Sequence, residues 1–399
     1  MDAEHATAPT PEGQTADVRG TPREAKRYAR SKLAVGILKL ILSFAVLLVF
    51  LLSGASARLH AFFAQRTGSY HLQLSGYLLA FLAGYSLFFL GLDFYSDVVL
   101  ERRYGLSNQT IAGWLIRSAK QWLLAALLAI GAFSLLYYVI RVAPDGWWLF
   151  ASVGWFILLV LASKITPALI VPLFYKLRPL TDRDLAERLA DLADRCGVRV
   201  TRIFEIRLSK ETKKANAAVV GLGRERRILI GDTLLDLCSH EEIEAVFAHE
   251  LGHVVLHHGW KLIGIAAAFS VIAFYLLHLL LGPSAIRLGF AGADDIGALP
   301  LLLLWIMLLG LIARPLQAAL SRHFEKQADL FILGRVEKPE SLIWALAKLG
   351  RRNLADPEPG RLVEILFYDH PPIAKRITYL QRSAHQSNFR KRNGLNLSI

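Results

Sequence analysis

Cysteine is nearly absent from this chain. Its 399 residues include two, Cys196 and Cys238. They lie far apart with no CxxC spacing, which argues against both a disulfide framework and a thiolate metal site. Acidic residues are also scarce, with 33 Asp and Glu against 46 Lys and Arg and a net charge of +13. One reading of that excess is a nucleic-acid partner. However, no stacking or groove-reading motif accompanies the basic residues. The excess is read instead as the Lys and Arg bias of membrane-protein loops, and no nucleic acid is expected. Polar sequence is the third shortage: 54% of residues are hydrophobic, and the mean hydropathy is positive. A soluble chain of this length is usually less apolar.

What fills the chain is long apolar runs. Six are long enough to span a bilayer: residues 33–53, 76–98, 122–140, 147–173, 263–281 and 296–312. An α-helical polytopic membrane protein is expected. Tyr137, Tyr138, Trp147 and Trp148 sit near run ends, as interfacial aromatics do. Residues 1–31 lack apolar periodicity and read as a disordered tail. Ala55, Ser56 and Ala57 mimic a signal-peptidase site, but the preceding run is long for a signal segment, so a retained span is expected.

Loop charge gives an orientation. Arg19, Arg23, Lys26, Arg27, Arg30 and Lys32 precede the first run; Arg58 and Arg66 follow it. The next loop has Arg102, Arg103, Arg117 and Lys120, and the one after only Arg141. Residues 174–260 and the C-terminal region are rich in charge, whereas the last short loop has Arg287 against Asp294 and Asp295. High and low counts alternate, which puts both termini and residues 174–260 in the cytoplasm. The expected organisation is a tail (1–31), four spans (32–173), a cytoplasmic domain (174–260), a membrane hairpin (261–314) and a helical C-terminal part (315–399).

The 174–260 segment has mixed periodicity. TDRDLAERLADLADRCG carries helical spacing at Leu185, Leu189 and Leu192 with Gly197 as a stop. VRVTRIFEI reads as a strand, and residues 217–220 and 227–230 as a hairpin joined by a Gly-containing turn. Ser239 with Glu242 forms a capping box that opens a helix ending near Gly259.

That helix contains FAHELGHVVLHHGW, residues 247–260, and within it the pattern H-E-x-x-H. On a helix, His249 and His253 lie about 40° apart on one face, one turn apart. Both imidazoles can then reach one tetrahedral ion, and Glu250 projects beside them as a general base. The alternative is a histidine-bearing helix at a membrane surface. Catalytic zinc needs a third protein ligand. SRHFEKQADLFIL, after the last run, has Glu325 and Asp329 at i, i+4. Glu325 is the candidate ligand, with Asp329 orienting a ligating histidine. An exposed charged face, pairing Glu325 with Arg322 and Lys326, explains the same residues.

HELGH, a membrane hairpin, SRHFEKQAD and then HPPIAKR at 370–376 together resemble the type I CAAX prenyl endopeptidases and their HtpX-type relatives. These are integral-membrane zinc metallopeptidases. VLERRYGLSNQT, PALIVPLFYKLRP and NAAVVGLGRERRILIGDTLL extend the resemblance over most of the chain, and the order of segments favours the prenyl-endopeptidase branch. The resemblance implies a zincin-like α+β catalytic domain and one zinc ion held by His249, His253 and Glu325. It implies Glu250 as base and Asp329 behind the ligands. It matches Asn216, followed by Ala217, to an edge strand that binds substrate. It matches His370 and Arg376 to residues contacting substrate near the metal, where either could stabilise the oxyanion. His258 matches a family histidine further along the helix, with a plain helix-end role equally open; His257 is read as surface.

The chain departs from the family pattern in three places. Six spans are counted where seven are usual, the first being absent. No aromatic follows the alanine of the edge strand. The loop before the catalytic helix is short. The last two bear on substrate identity rather than on hydrolysis. Of the ionisable residues in or near apolar runs, Asp93 and Asp97 are read as wet and interfacial, His278 stays unassigned, and Lys39 and Arg314 can snorkel. The expected activity is zinc-dependent peptide hydrolysis of prenylated CAAX-like or membrane-associated substrates at a lipid bilayer. The rival readings are an HtpX-like quality-control protease and a non-catalytic membrane chaperone or transporter.

Overall fold

The computed structural model describes residues 22–221 and 226–392. The chain opens with helix α1 (Pro22–Leu52) and the short α2 (Ala55–Ala64). Helix α3 (Tyr70–Phe94) runs on through a π turn at Tyr95–Val99 to Arg103. Helices α4 (Ile111–Val142) and α5 (Trp147–Ile165) follow, and α5 continues through a second π turn to Phe174. A domain with a four-stranded sheet comes next: β1 (Leu177–Pro179), α6 (Arg183–Arg195), β2 (Val200–Ile206), β3 (Ala217–Val220), β4 (Arg226–Gly231) and α7 (Asp232–Leu235). Then come α8 (His240–Val255), α9 (His258–Arg287) and α10 (Leu299–Phe331), the last led by a 3-10 turn at Ile296–Ala298. Helices α11 (Glu340–Arg352), α12 (Arg361–Phe367) and α13 (Ile373–Arg392) complete the described chain.

Six of these helices are long and apolar enough to cross a membrane: α1, α3, α4, α5, α9 and α10. Each overlaps one of the six apolar runs. The expectation of a disordered tail to residue 31 needs correction. Residues 1–21 lie outside the described residues, but Pro22 already opens α1. Proline suits a first helical position because its missing N–H would be unpaired there anyway. Ala25 and Tyr28 are buried against Leu100, Leu106 and Leu354. The Tyr28 hydroxyl donates to Glu101 Oε1 at 2.5 Å. Two contact residues were too few to register as periodicity, and tertiary packing supplies what propensity lacks.

The sheet runs in the order β1-β2-β4-β3. β2 and β4 pair in parallel, while β1 and β3 are antiparallel to their neighbours. β3 and β4 form the expected hairpin, although its turn lies outside the described residues. β1 was not foreseen. It ends at Pro179, and proline is tolerated there because β1 is an edge strand. Leu185, Leu189 and Leu192 of α6 and Ile228 and Ile230 of β4 pack with Ile243, Phe247, Ala248 and Leu251 of α8. The catalytic-motif helix is therefore fastened along its length to a hydrophobic core. The capping box is formed: Glu242 Oε2 accepts from the Ser239 N–H at 2.8 Å, and Ser239 accepts from the Glu242 N–H.

α8 ends at Val255, short of Gly259. The break is at His257, which takes φ 57, and α9 starts at once at His258. A left-handed residue reverses the local winding, so α8 and the fifth span are separate rods joined through Leu256 and His257. Of the charged residues in the spans, Lys39 and Asp93 pair, with Nζ 2.5 Å from Oδ1 and both partly exposed. His278 packs against Trp147. Arg314 Nε donates to the Leu366 carbonyl at 2.9 Å.

Candidate active site

Two helices meet at the site. α8 brings His249, Glu250 and His253, and α10, running on well past its apolar part, brings Glu325 and Asp329. They come close because Gly252 has no side chain: a Cβ there would stand 3.1 Å from Ala328 Cα and from Phe331 Cβ. Glycine in the second variable slot of the motif thus sets the distance between the helices.

His249 Nε2 lies 3.3 Å from His253 Nε2 and 3.4 Å from Glu325 Oε2. His253 Nε2 lies 3.3 Å from Glu325 Oε1. Ligand atoms of all three residues fall within 4.8 Å of one another. Two ligands about 2.05 Å from a tetrahedral ion are themselves about 3.3 Å apart, so these spacings fit the edges of such a polyhedron. Glu325 Oε2 is buried with no hydrogen-bond partner. An orphaned carboxylate oxygen beside two facing imidazole nitrogens is a cation-shaped gap. The donor set of two nitrogens and one carboxylate also suits a catalytic metal that keeps an open position.

Behind this group the polar contacts are dense. Asp329 is fully buried. Its Oδ1 lies 2.8 Å from His249 Nδ1, which aims His249 Nε2 at the gap. Burial pulls the His249 imidazole down, but Asp329 and Glu325 outweigh it and raise its pKa to about 9. The pocket therefore favours positive charge. Arg376 is turned inward: Nε donates to Asp329 Oδ2 at 2.8 Å and Nη2 to Oδ1 at 2.5 Å. Nη2 still lies 3.9 Å from Glu325 Oε2. Tyr379, which sequence reasoning missed, also donates to Asp329. Its spacing of three from Arg376 puts both on one face of α13 and was the available signal.

His258 proves to be more than a helix end. Its Nδ1 is 3.0 Å from His253 Nδ1, and its Nε2 is 2.9 Å from Gln327 Oε1. Gln327 Nε2 in turn is 3.2 Å from His323 Nε2. If His253 presents Nε2 to a metal, its Nδ1 carries the proton. Every bond in the chain then runs one way, His253 to His258 to Gln327 to His323. His258 also stacks on Phe324 at 4.6 Å. His257, as expected, is exposed.

On the open side, His370 Nε2 is 3.4 Å from Glu325 Oε1, and its side chain is 57% exposed. The neighbouring Asp369 carboxylate raises its pKa, against the effect of burial. Glu250 Oε2 accepts from the Val219 N–H at 3.4 Å. β3 pairs with β4 on one side alone, so its free edge, where Val219 sits, faces the motif helix. Ala217 is the first residue of that strand. Asn216 is exposed at its head, where its carbonyl accepts from the Gly231 N–H at 2.9 Å.

Residues 179–384 match the model of peptidase family M48. Residues 17–176 match a model described as the CAAX prenyl protease N-terminal region with five membrane helices. Four helices of spanning length are described in that stretch, beside the ten-residue α2. An uncharacterised metalloprotease of Bacillus subtilis is 28% identical over 369 residues, covering 90% of this chain and 85% of the relative. CAAX prenyl protease 1 of Saccharomyces cerevisiae is 30% identical over 312 residues, covering 73% of this chain and 68% of that protein. The crystal structure of S. mikatae Ste24p superposes with a TM-score of 0.81 at 27% identity, covering 94% of this chain and 92% of that one.

Proposed function

The chain belongs to peptidase family M48, as an integral-membrane metalloprotease, and from that premise we propose that it cleaves prenylated CAAX-like peptides with one zinc ion. The observation that carries this reading is the tight group of His249, His253 and Glu325 next to Glu250 and a free strand edge. His249, His253 and Glu325 would hold the zinc. When bound, the ion polarises the scissile carbonyl and acidifies water beside it.

The chain's own residues do the rest. The peptide backbone adds to the free edge of β3 from Ala217 onward, with Asn216 at the head of the strand. Glu250 takes the proton of the attacking water and passes it to the leaving amine. His370 donates to the developing oxyanion. Arg376, occupied by Asp329, acts as a positioning residue that neutralises the acid behind His249. Loop charge supports a cytoplasmic position for both termini and for residues 174–260.

The test is a farnesylated peptide beside its unprenylated twin, with products mapped. The farnesylated peptide should be cut at the modified cysteine, and faster by more than about tenfold, equivalent to ~1.4 kcal/mol. Equal rates would favour membrane-protein quality control. No cleavage of either, with no bound metal, would favour a chaperone or transporter.

His258 gives a second prediction. His258→Phe keeps the stack on Phe324 but removes the acceptor for His253 Nδ1. Zinc affinity should fall by roughly 10–100-fold, read by competition with a chelating dye, with helix content unchanged. Wild-type affinity would remove His258 from the supporting network.

A further inference from the structure

Helix α12 turns the usual pattern of a surface helix outward. Leu362, Ile365 and Leu366 stand at i, i+3 and i+4, one stripe of a helix. In a water-facing domain that stripe packs inward. Here Leu362 is 73% exposed, Ile365 37% and Leu366 38%. The polar groups face the protein instead: Glu364 pairs with Lys375 at 2.6 Å, and its carbonyl accepts from Arg322 at 3.0 Å.

The depth of α12 is set by α10. The Leu366 carbonyl is held by Arg314. Ile312, the last residue of the apolar run, is two residues earlier on α10, a rise of about 3 Å. Arg314 also stands over the Phe367 ring. α12 is therefore fastened at the level where the sixth span leaves the hydrocarbon. Ile312 and Leu316 flank Arg314 and are 68% and 53% exposed, as residues facing lipid would be. Arg361, at the head of α12, is exposed and long enough to reach lipid phosphates.

We propose that α12 lies in the head-group boundary of the bilayer with Leu362, Ile365 and Leu366 among the acyl chains. It thereby ties the loop that carries His370 to the membrane surface. The tie is short: Arg322 Nη1 also donates to the Tyr368 carbonyl at 2.6 Å, and Asp369 and His370 come next. Monotopic helices bind bilayers through such a stripe.

The experiment places a nitroxide at Leu362→Cys in a Cys196→Ser chain reconstituted in phosphatidylcholine vesicles. Cys238 can stay, because it is buried and burial pushes its thiol up to about 12. Leu316→Cys serves as the lipid-facing control and Glu187→Cys as the aqueous one. The probe at 362 should collide with oxygen and not with a soluble nickel chelate, as at 316. Collision with the chelate, as at 187, would overturn the proposal. Protection from both reagents would overturn it too, since protein rather than lipid would then cover the stripe. Leu362→Glu adds a functional readout: cleavage of a vesicle-anchored peptide should fall several-fold more than cleavage of its soluble counterpart. Equal losses would reduce α12 to a folding element and overturn the tie.

Discussion

Replacing Glu250 by Gln is expected to leave a folded, metal-loaded protein whose peptide cleavage falls by roughly 10²–10⁴-fold. The carboxamide has nearly the same shape, and its oxygen can still accept from the Val219 N–H. The group that holds the metal does not include Glu250. What the substitution removes is the capacity to take a proton from water and return it to the leaving amine. Metal content by elemental analysis and cleavage under single-turnover conditions check the two halves separately. Activity within a few-fold of wild type would overturn the mechanism. A variant that loses the metal would instead show that Glu250 shapes the site.

Asp329→Asn is expected to damage both stability and metal binding. The side chain is fully buried and takes two guanidinium contacts from Arg376, one from the Tyr379 hydroxyl and one from His249. Neutralising it takes away the carboxylate paired with the buried Arg376 and leaves only Glu325 Oε2, 3.9 Å from Nη2, a loss of up to about 3–5 kcal/mol as when a buried ion pair loses one partner. It also frees His249 from its orienting carboxylate, which should weaken metal binding by about 10–100-fold. Pairing it with Arg376→Met separates the two effects. The double variant should regain much of the thermal stability, because no uncompensated charge remains, but none of the metal affinity. Recovery of both would mean that Asp329 serves the arginine and not the metal.

Much of this was legible in the sequence. The six spans were visible because hydrocarbon demands long apolar helices. The motif helix was visible because its capping box and H-E-x-x-H follow helical spacing. Glu325 and Asp329 could be found by their own i, i+4 spacing but not assigned by it, since an exposed ion-paired face has the same signature. The structure separates the two readings by burial, with Glu325 and Asp329 both enclosed. The supporting residues were harder to see. Tyr379 and Gln327 act across helices joined by no local pattern, His323 enters only through Gln327, and the helix break at His257 is made by a residue that rarely adopts φ 57. Residues 22–31 were misread for a related reason, since their order comes from a distant hydrogen bond to Glu101.

With peptides bound as proposed, the free edge of β3 has a consequence for selectivity. A strand edge offers N–H and C=O groups, which are alike at every position of any peptide. Such an edge holds a chain in register yet hardly distinguishes one sequence from another. Discrimination then becomes a matter of kinetics and address, settled by which peptides are near the edge and for how long. A peptide anchored in the same bilayer meets the edge at an effective concentration of roughly millimolar, so even weak main-chain contacts suffice. An untethered chain at cellular abundance would seldom arrive and would leave before it was cut.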